Sequence, residues 1–376
     1  MTSLFLRYRR AVLLGLTCGV SACDVASFIQ DPKPILEQTW SVPAESASIS
    51  VASILPPGIT IYSTPASSPP DSSAFQVTVS GVNFARVLGA DCAPCVPING
   101  TTAIKPNFVI ATGATTNMPA DVVSGALLGG LVNVQVSHNF SFDPLRPKSN
   151  APAATDPAQQ GRMVIVVRSG SLVVGRDSVN GVTTAFAPGA VLARAITLQT
   201  GNITGTLSVD LTLTSPPSDN PVPMNSNATL SAAAAVPDLR VAQVRMNVVN
   251  RTMTSVAGDS IPLTGIDSTI TKHVVSAALE MTITNPFNVA GNVDVAFGYA
   301  PSLSITKSLS LPTGVAQTRA VTLDSAEMSN LFDSPQKIGL SMTGSVNSTA
   351  PFDVTPKQVI TISNRLIMVL RFGGGN

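Results

Sequence analysis

The chain has 376 residues, of which only 11 % are charged, against about 25 % in an ordinary soluble domain. Lys and Arg number 22 and Asp and Glu 21, which excludes a basic surface built for nucleic acid. Only one long apolar run occurs, near the start, so the low charge does not make a polytopic membrane protein. Ser, Thr, Asn, 27 glycines and 29 prolines carry the polarity instead, as in a turn-rich extracytoplasmic β protein.

Arg7, Arg9 and Arg10 precede residues 11–23, AVLLGLTCGVSAC. Basic, then apolar, then small is the order of an export signal. An uncleaved membrane helix would need ~20 apolar residues, and this run has about half. Its end, Val20-Ser21-Ala22-Cys23, resembles the lipobox of bacterial lipoproteins. The resemblance implies a signal peptide over 1–22, cleavage before Cys23, and acyl chains on that cysteine that hold the body to a membrane. It also implies a bacterial cell envelope location facing the periplasm. Asp24 resembles an inner-membrane retention signal, with the outer membrane as the alternative. A plain secretory signal cut elsewhere is the competing reading. The 354 residues after position 22 carry 19 basic and 21 acidic side chains. That length exceeds the ~250–300 residues at which a single core stops growing, so two domains are expected.

Residues 23–43, with Pro32, Pro34, Trp40 and Pro43, read as a lipidated extended tether. Segments 48–55, 59–62 and 75–79 are the first strand candidates, the last alternating Phe75, Val77 and Val79 with polar partners. Cys92 and Cys95 follow in Asp91-Cys-Ala-Pro-Cys, among Gly89, Pro97 and Gly100. Cys18 leaves with the signal and Cys23 takes lipid, so these two form a local disulfide in an oxidising compartment. So small a loop contributes only about 2 kcal/mol. A thioredoxin-like redox pair would belong at a helix start in a βαβ unit. Metal-bound or free thiols also stay open for this pair.

Val132, Val134, Val136, His138, Phe140 and Phe142 share one face of the clearest strand in the first half. His138 on that face reads as a hydrogen-bonded core histidine. A polar loop over 143–160 leads to strands at 163–167 and 171–174. Over 203–213, Ile203, Leu207, Val209, Leu211 and Leu213 alternate with polar residues, a pattern that a helix would scatter round its axis. Pro216, Pro217, Pro221 and Pro223 then mark a linker, giving domains over 44–222 and 223–376. Further alternation covers 242–248, 274–284, 303–311 and 338–346, and 366–372 is apolar on both faces, as in a central strand. Residues 324–332 form the one helix, with Asp324 and Glu327 at capping-box spacing and Pro335 as the stop.

The halves resemble each other. Val122-Val123-Ser124-Gly125-Ala126-Leu127 matches Val274-Val275-Ser276-Ala277-Ala278-Leu279, His138-Asn139-Phe140 falls where Asn285-Pro286-Phe287 does, and Arg194-Ala195-Ile196-Thr197-Leu198 matches Arg319-Ala320-Val321-Thr322-Leu323. The reading is all-β: two tandem immunoglobulin-like antiparallel β-sandwiches, with one short helix in the second. Asn285-Pro286 after an apolar strand, within 274–299, resembles the immunoglobulin-like domain of the LEA14/WHy proteins, which implies the same fold.

Chemistry is sparse. The two histidines, His138 and His273, come with no Gly-x-Ser-x-Gly elbow. The glutamates are Glu37, Glu45, Glu280 and Glu327, and the aspartates mostly flank Pro, Gly and Ser as turn formers. Phosphate loops, EF-hands and His/Cys metal spacings are missing. No catalytic, cofactor or metal residue is therefore expected. The expected function is a non-catalytic, lipid-anchored binding or scaffolding protein. Its protein partner would be an integral membrane complex that it braces as an accessory subunit. The alternatives are a carrier of lipid or another apolar ligand, in a cavity lined by residues such as Phe140, Phe142, Met342 and Met368, and an enzyme of unknown type.

Overall fold

A computed structural model describes residues 35–373, apart from 45, 64–72, 147–158, 255–259, 263–267, 288, 300–302 and 333–336. The expected export signal, with Cys23 and Asp24, lies outside the described residues. Within them the alternating segments form antiparallel sheets, and the fold is all-β.

In the first sandwich, Val122–His138 lies between Val191–Leu198 and Thr229–Met246, and Val79–Val87 pairs with the outer side of the last. The facing sheet runs Leu172–Asn180, Arg162–Ser169, Thr206–Ser215, Phe108–Asn117. In the second, Val274–Asn285 lies between Gly314–Thr322 and Val359–Phe372. Its facing sheet runs Ile305–Leu311, Gly291–Tyr299, Lys337–Val346, Arg251–Thr254. Taken in chain order, the two sets follow one plan. In each half the second matched segment pairs along the strand that begins with the first: Arg194 to Leu198 stand opposite Val134 to Gly130, and Arg319 to Thr322 opposite Met281 to Ala278.

The 203–213 alternation holds two strands rather than one. Gly201–Thr204 pairs with Val122–His138, and Thr206–Ser215 crosses to the opposite sheet. Ile203 and Leu207 are both buried because each enters the same core from its own sheet.

The expected boundaries need correction. Residues 36–43 are no tether: Leu36–Pro43 is a strand in unbroken antiparallel register with the last strand, from Leu36 opposite Phe372 to Pro43 opposite Arg365. The open edge of Val359–Phe372 offers unpaired backbone groups, and this strand satisfies them. Trp40 and Val42 pack part-buried against the core. The domain division at 222/223 fails as well. Thr229–Met246 pairs along Val122–His138 in the first sandwich, and Pro221–Pro223 forms a short strand on Thr102–Ile104 rather than a linker. Prolines are tolerated there because an edge strand needs only one set of ladder bonds. The second sandwich thus takes the strands from Arg251 onward together with Leu36–Pro43 and Ala47–Ser50. Phe352–Val354 crosses back to pair with Val244–Met246 of the first.

The helix Ser325–Phe332 has its capping box: the Asp324 N–H donates to Glu327 Oε2 and the Glu327 N–H to Asp324 Oδ1, each at 2.9 Å. It is not alone, because one-turn helices also occur at Leu88–Asp91 in the first sandwich and Ser268–Thr271 in the second.

Candidate functional site

The ionisable groups most displaced from ordinary behaviour gather at one end of the first sandwich. The strand Val122–His138 ends on His138 inside the core, and the chain continues inward through Phe140, Phe142 and Asp143. Phe140 and Phe142 stack with centroids 5.4 Å apart, and Phe108 meets both edge-on at 6.2 Å. Against these rings lies Lys105, which is 0 % exposed. Its Nζ donates to Ser215 Oγ at 2.6 Å and to the Pro216 carbonyl, and stands 5.3 Å from the ring centres of Phe108 and Phe142. Ring faces attract a cation, so the cage partly offsets lost hydration.

Asp143 is fully buried too. One carboxylate oxygen accepts the Leu145 N–H and the other the Phe186 N–H, both at 2.8 Å. His138 Nδ1 accepts the Phe140 N–H at 3.1 Å, so Nε2 carries the proton and donates to the Phe186 carbonyl at 2.9 Å. Burial governs all three: it lowers Lys105 from 10.5 to about 7, lowers His138, and raises Asp143. Burial disfavours whichever form is charged. The backbone closes tightly nearby, and a side chain on Gly181 would place its Cβ 1.9 Å from the Leu145 carbonyl oxygen.

A neutral buried amine is a competent base or nucleophile in principle. Here these hydrogen bonds of Lys105, His138 and Asp143 all end on protein groups, and each of those groups except the Ser215 hydroxyl is backbone. None of the three lines the clefts at Lys272, Ala233 or Asp353. The three side chains are buried at this end of the core.

His138 takes the core role its strand position implies. Asp143 is more than a turn former, and Lys105 carried no periodic signal, lying alone between Ile104 and Pro106. Cys92 and Cys95 are joined, with Cα atoms 5.2 Å apart, and both are buried. They follow the one-turn helix Leu88–Asp91 and enclose a 3-10 turn. His273 lies far along the chain on the second sandwich, its ring 4.8 Å from Phe372. Among the described residues no three His, Cys, Asp or Glu side chains converge as a metal site.

The clefts are open and weakly ionic. One of about 510 Å³ lies beside helix Ser325–Phe332 and contains Lys272. One of about 450 Å³ is a shallow depression on the small, uncharged face of Asn83, Ala85, Gln135, Ser137, Ser231 and Ala233. A third, about 570 Å³, holds the Arg245–Asp353 pair near the crossing strand. Phe140, Phe142, Met342 and Met368 line none of these. Among the described residues no helix is long and apolar enough to cross a membrane.

No family model matches the chain, and no curated protein matches it. Among solved structures, a protein of Parabacteroides distasonis described as secreted aligns over 90 % of this chain and 100 % of its own, at 10 % identity and a TM-score of 0.28. The PBSX exported protein XepA aligns over 82 % and 99 %, at 11 % identity and 0.17. The tandem CBM22 domain of Paenibacillus barcinonensis Xyn10C aligns over 78 % and 98 %, at 10 % identity and 0.17. Likeness this distant carries no argument about function.

Proposed function

We propose that the chain is a non-catalytic scaffold of the bacterial cell envelope, held to a membrane by acyl chains on Cys23 and bracing an integral membrane complex as an accessory subunit. One observation carries the reading: Leu36–Pro43 is paired along its whole length with the last strand. The first described strand therefore begins 13 residues after Cys23, a distance of at most about 45 Å. A folded body within that distance of an anchored cysteine is suited to standing against a fixed neighbour. The sealing of Lys105, His138 and Asp143 supports the absence of catalysis.

Solubilising membranes of the native host in mild detergent and isolating the protein tests this. An integral membrane protein should co-migrate in fixed ratio. A monomer without companions contradicts the bracing role.

A further inference from the structure

We propose that the end of the second sandwich that carries Leu36 and Phe372 rests on the lipid surface; the choice of occupant rests on the anchoring reading above. The strand register fixes which residues lie there. Leu36, the first residue of its strand, stands opposite Phe372, the last residue of its own. The Phe372 ring packs on His273, and the neighbouring Lys272 and Val275 line the cleft beside helix Ser325–Phe332. Val274, next to Val275, stands opposite Leu370, so these residues lie at one end of the same sheet.

That end is amphipathic in the manner of a lipid interface. Ile35 and Leu36 are each 61 % exposed and Val275 is 41 % exposed, so three aliphatic side chains are exposed where the first described strand and Val274–Asn285 begin. Lys272 is exposed beside them. The described carboxylates of this end are engaged. Glu37 holds Arg371 at 2.6 Å, Glu327 holds Lys307 at 2.6 Å, and Asp324 caps the helix. Among the described residues no carboxylate pairs with Lys272, whose ammonium is the group that would meet a lipid phosphate. Aliphatic side chains at headgroup depth with an adjacent ammonium form the standard interfacial pairing.

Chain length selects the occupant. Ile35 lies 12 residues after Cys23, so it stays within about 43 Å of an acylated cysteine however the link runs. The opposite end cannot stay so close, because Thr229–Met246 carries the first sandwich away from the crossing strand toward Val87 and the Cys92–Cys95 loop. Val96, 52 % exposed on that loop, is the control position.

The test uses the chain from residue 23 carrying Cys23→Ser, with Val275→Cys or Val96→Cys. Cys92 and Cys95 are bonded, so the new thiol alone takes an environment-sensitive fluorophore. On phosphatidylethanolamine vesicles containing phosphatidylglycerol and a lipid-borne quencher, the fluorophore at 275 should shift to the blue and be quenched, and that at 96 should do neither. Lys272→Gln should weaken vesicle binding about five-fold, and Leu36→Ser should weaken it further, with circular dichroism unchanged. Quenching only at 96, or at neither position, overturns the proposal; the first result would point to the distal end, the second to a protein as the occupant. Acylation is read separately from the mass of the native amino terminus. An unacylated native chain whose 275 position still enters lipid defeats the anchor alone.

Discussion

His138 and Asn285 do the same work at the same place in the two sandwiches. Each ends the strand that begins at Val122 or Val274. His138 Nδ1 accepts the N–H of Phe140, and Asn285 Oδ1 accepts that of Phe287. His138 Nε2 donates to the Phe186 carbonyl, and Asn285 Nδ2 donates to those of Val289 and Pro312. In both halves the buried side chain turns the chain out of the strand. It also ties that turn to the segment leading into the next strand of its sheet, at Val191 or Gly314.

Asn285→Ala strips three hydrogen bonds from buried backbone groups and should destabilise the second sandwich by about 3 kcal/mol. His138→Ala should cost the first about as much, with the lost ring stacking adding to it. His138→Asn should recover part of that loss. Equilibrium urea unfolding of the three variants checks the pattern.

Lys105 makes stability depend on pH. The unfolded chain binds its proton up to about pH 10.5 and the folded chain only up to about 7. Between these values the unfolded state holds more protons, so stability rises as pH rises from about 7 to about 10.5 and the gain is absent below 7. Lys105→Met keeps the volume and removes the charge. The difference in Tm between wild type and variant should shift in favour of wild type across that window and stay flat below it.

Trp40 is the chain's one tryptophan, and it sits part-buried on the edge strand. Its emission therefore reports whether Leu36–Pro43 is attached. The red shift on denaturation should coincide with melting of the second sandwich. Trp40→Ala should lower that transition by about 2 kcal/mol and leave the first sandwich unchanged by hydrogen exchange.

The Cys92–Cys95 loop is so short that Cys92→Ala with Cys95→Ala should cost only about 2 kcal/mol. Both sulfurs belong to buried residues, so reduction should be slow in the native state and fast in denaturant.

The alternating strands were legible because period two separates buried from exposed side chains without knowledge of their partners. Ile203 to Leu213 show the limit of that signal: both strands obey it, and the crossing at Gly205 leaves the alternation intact. The capping box at Asp324 and Glu327 is local chemistry and was readable for that reason. Leu36–Pro43 read as a tether because its partner lies more than three hundred residues away, as the Glu37–Arg371 pair shows, and a polar edge strand carries little hydrophobic pattern. Lys105 escaped notice because its burial is imposed by Phe108, Phe142 and Ser215, which converge only in the folded chain.

The amino terminus of the mature protein decides whether the body is anchored at all. Mass spectrometry of protein taken from membranes of the native host should find a chain beginning at Cys23 and carrying acyl groups. A chain that begins elsewhere, or begins at Cys23 without lipid, would contradict the anchored scaffold.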